Sequence, residues 1–312
     1  MESIKHYSVL LEESIEALNI NKDGIYVDGT LGRGGHSSII LSKLDKGYLY
    51  CFDRDEKAIA ESNERLHKIS DKYKIIHANF SLIKEKLNEL NIDKIDGLLL
   101  DLGVSSPQFD EASRGFSYRF DALLDMRMDQ SSEITAQKVV NDYTYEQLVR
   151  IFYEYGEEKY SKQIARKIEK AREIKPITTT FELVDIIKSA LPSKVLSSKG
   201  HPAKKVFQAI RIEVNNELNE LRIVLDKAIG MLKPNGRLVI ISFQSLEDRI
   251  VKEAFNKVGK QKKTDKRIPL RPDQIEELEY RVITTKPILA SNKELEENNR
   301  SHSAKLRVLE RK

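Results

Sequence analysis

Apolar positions along this chain alternate between two rhythms. A short β-branched and aromatic run, Ile25-Tyr26-Val27, ends at Asp28 and passes into a turn carrying Gly29, Gly32, Gly34 and Gly35. Residues 36–44 then place Ile39, Ile40, Leu41 and Leu44 at helical spacing. A second run over 48–52 ends in Asp53-Arg54-Asp55 and leads into a helical stretch reaching about residue 66. A third predicted strand covers 74–80 and ends on Phe80, with a helix over 82–90; a fourth covers 95–101 and ends on Asp101. This alternation predicts an α/β fold, a parallel doubly wound sheet with its ligand at the carboxyl ends of the strands.

Beyond Gly103 the rhythm changes. Residues 104–109 form a loop, and the run to Asp129 is rich in Arg114, Phe116, Tyr118, Arg119, Phe120 and Arg127 without clear period. Residues 134–191 are helical in pattern, interrupted at Lys175-Pro176 and stopped by Pro192; 194–201 is a predicted loop. One long helix is predicted over 203–232, closed by Lys233-Pro234-Asn235-Gly236. A fifth strand over 237–243 and a helix over 246–258 follow, then two strands, 282–289 and 305–309, suited to an antiparallel pair. The expected organisation is a discontinuous sheet domain, 1–107 with 203–312, and an inserted helical substrate-recognition domain, 108–202.

Composition changes this picture little. At 312 residues, 33% charged and without a long apolar run, the chain is expected to be soluble and cytoplasmic, with no membrane span. Glu2, Lys5, Glu12, Glu13 and Glu16 break any signal-like stretch. Cys51 is the single cysteine, which fits a reducing compartment. A net charge of +4 leaves attraction to nucleic acid to local patches. The six histidines show no metal-ligand spacing, so no metal is expected.

The glycine turn is neither the G-x-G-x-x-G of dinucleotide enzymes nor a phosphate-gripping P-loop. Asp53, at the end of the second strand, is placed to accept from ribose hydroxyls, and Asp55 to cap the following helix. A helix closed by Leu-Lys-Pro-Asn-Gly before the fifth strand, and the late strand pair, resemble class I (Rossmann-like) S-adenosylmethionine-dependent methyltransferases. The motifs narrow this further. His6-Tyr7-Ser8-Val9-Leu10-Leu11, the Asp28-to-Ser37 turn, Asp101-Leu-Gly-Val-Ser-Ser-Pro-Gln108, Arg114-Gly-Phe-Ser117, Leu124-Asp-Met-Arg-Met-Asp129, His201-Pro-Ala203, Phe207-Gln-Ala-Ile-Arg-Ile212 and Ser242-Phe-Gln-Ser-Leu-Glu-Asp-Arg-Ile250 occur in order along nearly the whole chain. Together they resemble the RsmH (MraW) family of bacterial 16S ribosomal RNA cytosine-N4 methyltransferases.

The resemblance implies S-adenosyl-L-methionine as cofactor, held by Gly34, Gly35, His36, Asp53, Phe80, Asp101 and Gln108. It implies as substrate a cytidine at the decoding centre of the small ribosomal subunit. The chain departs from the family pattern in three places: Gln244 replaces the usual His, Lys204-Lys205 replaces Thr-Arg, and Asn299 stands where Pro is general. Two alternatives belong to other classes, a nicotinamide-dependent oxidoreductase and a non-catalytic RNA-binding ribosome-assembly factor. The oligomeric state is left open, a homodimer included.

An exocyclic amine whose lone pair is delocalised needs alignment with the methyl donor and an acceptor for its N–H groups. Asp101 and the Val104-Ser105-Ser106-Pro107 loop occupy the place for that acceptor, with Asp101 alternatively a pure cofactor ligand. Carbon-5 methylation would call for a cysteine, and Cys51 lies inside the second strand. Ribose methylation usually calls for a lysine, and none occurs between Ile95 and Arg127. For RNA, candidate contacts are Arg114, Phe116, Lys204, Lys205, Lys262 and Lys263. Phe109, Tyr118 and Phe120 offer further rings for a splayed base, and any one of these rings, Phe116 included, serves equally well as a hydrophobic anchor for the inserted domain; the basic run 260–271 suits phosphates. His201, in Gly200-His-Pro, either touches RNA or closes a turn.

Overall fold

The computed structural model describes residues 8–103, 111–198, 200–261 and 277–312. The chain divides into two compact units, Met1–Gly103 with Asn219–Lys312, and Val104–Leu218.

The first unit is built on seven strands: β1 (Ile25–Asp28), β2 (Tyr48–Asp53), β3 (Tyr73–His77), β4 (Ile95–Asp101), β5 (Leu232–Ser242), β6 (Tyr280–Val282) and β7 (Lys305–Arg311). Their order in the sheet is β3-β2-β1-β4-β5-β7-β6. β1 to β5 pair in parallel, whereas β7 runs antiparallel to both β5 and β6. This is the sheet, late antiparallel pair included, that the class I resemblance implies. Successive residues of one strand serve opposite faces. Leu98 and Leu100 join Val27, Phe52, Leu238 and Ile240 in one apolar layer, and Leu99 joins Tyr26, Leu49, Val239 and Ile241 in the other. The helices α1 (Leu11–Leu18), α2 (Gly35–Ser42), α3 (Glu56–His67) and α4 (Ile83–Asn88) lie in the first half of the chain, and α11 (Glu217–Met231) and α12 (Ser245–Gly259) in the second. α2 contributes Ile40 and Leu41 to the second layer; α11 contributes Leu221, Val224 and Leu225 to the first, with Val251 and Phe255 of α12.

Besides β3, which stops at His77 short of Phe80, two strands differ from expectation. β5 begins at Leu232, five residues early, with a register shift between the Ile95 and Gly97 pairings. The predicted strand 282–289 is cut short. Val308 N donates to Thr284 Oγ1 at 2.9 Å instead of a ladder carbonyl, Pro287 has no N–H, and pairing resumes only at the Ile288–Leu306 bridge.

The second unit is helical: α5 (Ala136–Asp142), α6 (Tyr145–Glu154), α7 (Ser161–Ile174), α8 (Thr180–Ala190), α9 (Ser193–Leu196) and α10 (Lys204–Asn215). Threonine side chains start three of them. Thr135 accepts from Lys138 N, and Thr144 with Gln147 and Thr179 with Glu182 form reciprocal capping boxes. Val139, Leu148, Ile151, Phe152, Ile164, Leu183 and Ile187 bury together with Val206, Phe207 and Ile210 of α10. That shared core is why the helical unit extends to Leu218 rather than ending at 202. The long helix expected over 203–232 is two helices. Asn216 sits at φ 52°, ψ 30°, a left-handed conformation that asparagine tolerates and a helix cannot continue through. One turn of helix, α9, also opens the predicted loop 194–201. Among the described residues no helix is long and apolar enough to cross a membrane.

Candidate cofactor and catalytic site

The glycine turn after β1 is laced to the ends of two neighbouring strands, β2 and β4. Gly29 N donates to Leu99 O at 2.9 Å, Leu31 N to Phe52 O at 2.9 Å, and Gly32 N to Asp53 Oδ2 at 2.8 Å. Asp101 N donates to Thr30 Oγ1 at 2.7 Å. Asp28 is the internal brace. Its carboxylate accepts from Thr30 N at 3.0 Å and from Ser37 Oγ at 2.6 Å, tying the turn to α2. Burial pushes its pKa up, and these two donors pull against that. Gly34 caps α2 at φ 71°, a conformation that favours glycine, and a Cβ on Gly35 would force the Ser8 side chain to move. The first-turn N–H groups of α2 have no intrahelical acceptor and present partial positive charge.

His36 is buried on α2. Its Nε2 lies 3.1 Å from Val9 O, and its Nδ1 lies 3.9 Å from Asp101 Oδ2, beyond hydrogen-bond reach. Burial pushes its pKa down to about 4, so the ring is neutral and makes no ion pair. The imidazole therefore anchors the turn, and a ligand at this point would meet backbone N–H groups.

Asp101 ends β4 with a different environment. Oδ1 is buried and has no hydrogen-bond partner among the described residues, while a quarter of the side chain remains accessible. Burial first, then the charges of Asp28 and Glu247, push the carboxyl up to about 8. Asp53 ends β2 and is braced on both oxygens, Oδ2 by Gly32 N and Oδ1 by Asp55 N at 2.9 Å. Burial raises its pKa against those donors. Each carboxylate oxygen keeps a further lone pair for a ligand hydroxyl. Asp55 caps α3, accepting from Lys57 N, as expected. Phe80 does not end β3. The strand stops at His77, and Phe80 opens a single 3₁₀ turn, Phe80–Leu82, capped by Asn79.

Glu247 went unread in the sequence. Its buried carboxylate accepts from Phe243 N at 2.9 Å, Gln244 N at 3.1 Å and Gln244 Nε2 at 3.3 Å, pinning the end of β5 beside Asp101. The signal was the Gln-x-x-Glu spacing of a capping box, concealed because glutamine stands where serine or threonine is usual. Ser62 was also missed; its hydroxyl donates to Gly32 O at 2.6 Å. Gln108 and the loop 104–107 lie outside the described residues, as do Phe109, Lys262, Lys263 and most of the run 260–271.

In the helical unit, Arg114 and Phe116 are turned inward. Arg114 is 7% exposed and donates through Nη2 to Arg127 O at 3.0 Å and Met128 O at 3.2 Å; Phe116, 4% exposed, belongs to the core. A ring buried that far offers no face to a base, so neither residue is an RNA contact in this structure. Lys204 and Lys205 are exposed, and Lys205 Nζ donates to Glu157 O at 2.8 Å. His201 closes a turn: its Nδ1 accepts from Ala203 N at 3.2 Å. Asn299 begins a 3₁₀ turn capped by Asn298, a position that accommodates proline equally well.

Among curated proteins, the chain is 53% identical over 307 residues to the Ribosomal RNA small subunit methyltransferase H of Exiguobacterium sibiricum, covering 98% of each. Among solved structures it is similar to an rRNA methylase from Streptococcus thermophilus, with 14% identity, TM-score 0.38 and coverage of 96% of this chain and 93% of that one. It is also similar to TrmN from Thermus thermophilus, with 10% identity, TM-score 0.43 and coverage of 97% and 48%. Likenesses that loose add nothing to the topology above. The family model of the MraW methylases matches residues 3–312, and the chain belongs to the MraW methylase family.

Proposed function

We propose that this protein, an S-adenosylmethionine-dependent methyltransferase of small-subunit ribosomal RNA, methylates the exocyclic N4 of a cytidine in the decoding centre of 16S RNA. Such a substrate puts its work in the cytoplasm. The observation that supports this reading best is the end of β4, where a buried acceptor, Asp101 Oδ1, stands unpartnered among the described residues beside a braced glycine turn. A buried acceptor without a donor is costly, and a ligand N–H relieves that cost.

The residues present fit the cofactor that the family implies. Asp53 is held rigid by two backbone donors with lone pairs to spare for a vicinal diol. The first turn of α2 offers N–H groups to a carboxylate, through the backbone at Gly35 and His36, with Gly34 as its cap. Phe80 stands at the head of the turn after β3, and Gln108 is assigned by resemblance alone. When bound, the cofactor supplies an electrophilic sulfonium methyl.

The protein's own task is to make a weak nucleophile competent. Asp101 is placed to accept from the cytosine N4–H and so orient the lone pair, and to receive charge as the amine becomes cationic. With its pKa raised to about 8 the carboxyl is mostly protonated at pH 7, so the carboxylate form able to take the amine's proton is the minor one there and grows as pH rises. Cys51 is fully buried within β2, so no thiol is available for carbon-5 chemistry at this edge. The oxidoreductase alternative falls with the family. Against the assembly-factor alternative stands the intact set of Asp53, Asp101 and the glycine turn.

Methyl transfer from labelled cofactor to small subunits lacking the modification, followed by mass spectrometry of the digested RNA, tests the proposal. N4-methylcytidine is expected. A methyl on carbon 5 or on the ribose oxygen, with none on N4, overturns the mechanism; no transfer at all leaves the assembly-factor reading in its place.

A further inference from the structure

The helical unit carries a group of side chains that the proposed reaction leaves without a role. The rings of Tyr118 and His201 stack with centroids 4.2 Å apart and planes 11° apart. Phe207, a core residue, meets Tyr118 edge-on at 5.7 Å, so the stack is fixed from the inside while both of its own rings keep some exposure. Because His201 Nδ1 accepts a backbone N–H, the neutral ring carries its proton on Nε2, a donor not used within that turn. Burial, then the charges of Lys188 and Arg119, hold this imidazole below its ordinary pKa, so the neutral form prevails at pH 7. The same two cations therefore bear on the stack from α8 and from the segment before it. Phe120, 51% exposed, continues from Arg119, its carbonyl held by Thr180 Oγ1 at 2.7 Å. Nearby acids do little to cancel the positive charge. Asp121 Oδ1 accepts from Phe181 N at 3.2 Å at the start of α8, and Asp185 lies 3.9 Å from Lys188 Nζ as a loose surface pair.

We infer that Tyr118, Arg119, Lys188 and His201 form a subsite for an unpaired stretch of RNA, the rings stacking a base and the two cations meeting its phosphates. The inference rests on the proposed RNA substrate and assigns a place to its recognition. Unpaired RNA presents base faces and phosphates together, and half-buried aromatics beside guanidinium and ammonium groups match that combination; a duplex hides its base faces. The Nε2–H of His201 adds a donor for a phosphate or base acceptor.

Fluorescence anisotropy with the full chain tests this, using a short unpaired RNA oligonucleotide and the same sequence as a duplex, with cofactor affinity measured alongside by calorimetry. Arg119→Gln and Lys188→Gln remove exposed charges without touching the core. Each is expected to weaken binding of the unpaired RNA and to lower the salt dependence by about one counterion. Tyr118→Leu, which keeps bulk against Phe207, is expected to weaken it at least about fivefold, the low end for a lost base stack. Cofactor affinity is expected to stay at the wild-type value throughout. Wild-type affinity for unpaired RNA in the Arg119→Gln/Lys188→Gln double variant overturns the inference, and so does a preference for the duplex. Binding lost only on assembled subunits, with free RNA unaffected, would give the surface to a ribosomal protein and also overturn it. A chain that binds RNA as expected yet makes no N4-methylcytidine refutes the proposed reaction and leaves this subsite standing.

Discussion

Two carboxylates, one in each unit, meet opposite surroundings. In the sheet unit, Asp101 has one oxygen buried and unpartnered among the described residues, and burial with two neighbouring acids lifts it to about 8. In the helical unit, Glu182 accepts from Lys175 Nζ at 2.7 Å, Thr178 N at 2.8 Å and Thr179 N at 3.1 Å, and these donors, Lys175 foremost, pull it down to about 2. Asp125 is likewise held low against burial by its Arg127 fork, with contacts of 2.8 and 2.9 Å. Such paired acids occur in the sheet unit too, where Arg307 holds Asp248 low against burial. Asp101 stands apart from them, kept in an uncomfortable state at the carboxyl edge of the sheet. Discomfort of that kind is a fair marker of where a ligand belongs.

The most drastic way to break the comparison is to remove one side of it. Each unit has an apolar core of its own, the helical one drawn entirely from residues between Phe116 and Val214. Replacing 104–218 by a short linker is therefore expected to abolish methylation completely while cofactor binding persists in calorimetry. Loss of both in a protein that still folds would show that the cofactor site needs the helical unit.

The acids themselves give the next largest effect. A native carboxyl raised from 3.8 to about 8 means that the folded protein holds a proton the unfolded chain has released, so stability falls as pH rises across that interval. Asp28 and Asp53 are also raised and push the same way. Glu182 acts oppositely, its contribution present above about 4.5 and lost as pH falls towards about 2. Denaturant titration of the ligand-free protein is expected to show declining stability from pH 5 to 8. Asp101→Asn should recover on the order of a few kcal/mol at the alkaline end. A flat profile in the wild type would mean that Asp101 is ionised and compensated.

Much of the sheet unit was legible because its signals are local. Strand, acid, turn and helix recur within about thirty residues, and the cap at Asp55 needs only its own helix start. What escaped notice depends on strands brought side by side. Thr30 matters because β4 delivers Asp101 N to it, and Glu247 matters because β5 ends beside β4. The segment 111–129 gave no element for want of a period. Its order comes instead from side chains that reach backbone far along the chain: Arg114 to the carbonyls of 127 and 128, and Asn215 to Met126 O and Met128 N. Periodicity is blind to such bonds, and so the pattern around Arg114 and Phe116 could not decide between an RNA contact and an anchor of the helical unit. Asn216 is a similar case, since nothing in the helical pattern around it announces a left-handed residue.

A sharper probe of the sheet unit is Asp53→Ala. It removes an acceptor for a ligand diol and also strips Gly32 N and Asp55 N of their partner. The expected loss is about 1.5–3 kcal/mol of cofactor binding, the range for hydrogen bonds to a charged group. Affinity for RNA should not move. Unchanged cofactor affinity by calorimetry, with the fold intact, would take the ribose role away from Asp53.

The smallest effect expected separates two adjacent lysines. Lys204 and Lys205 open α10, both exposed, but Lys205 Nζ already caps the Glu157 carbonyl at 2.8 Å. Lys204 has its backbone N–H on His201 O at 3.0 Å, and its ammonium is paired with no acid among the described residues. A charge held that way costs nothing to redirect, so a phosphate contact is more accessible to Lys204 than to its neighbour. Lys204→Gln is expected to leave thermal stability unchanged and to lower the slope of log affinity against log salt by about 0.7, one counterion on a single strand. Lys205→Gln should cost a little stability through the lost Glu157 contact and change the slope less. Equal slopes in wild type and Lys204→Gln would remove Lys204 from the RNA surface, and the reverse order of the two slopes would give the contact to Lys205.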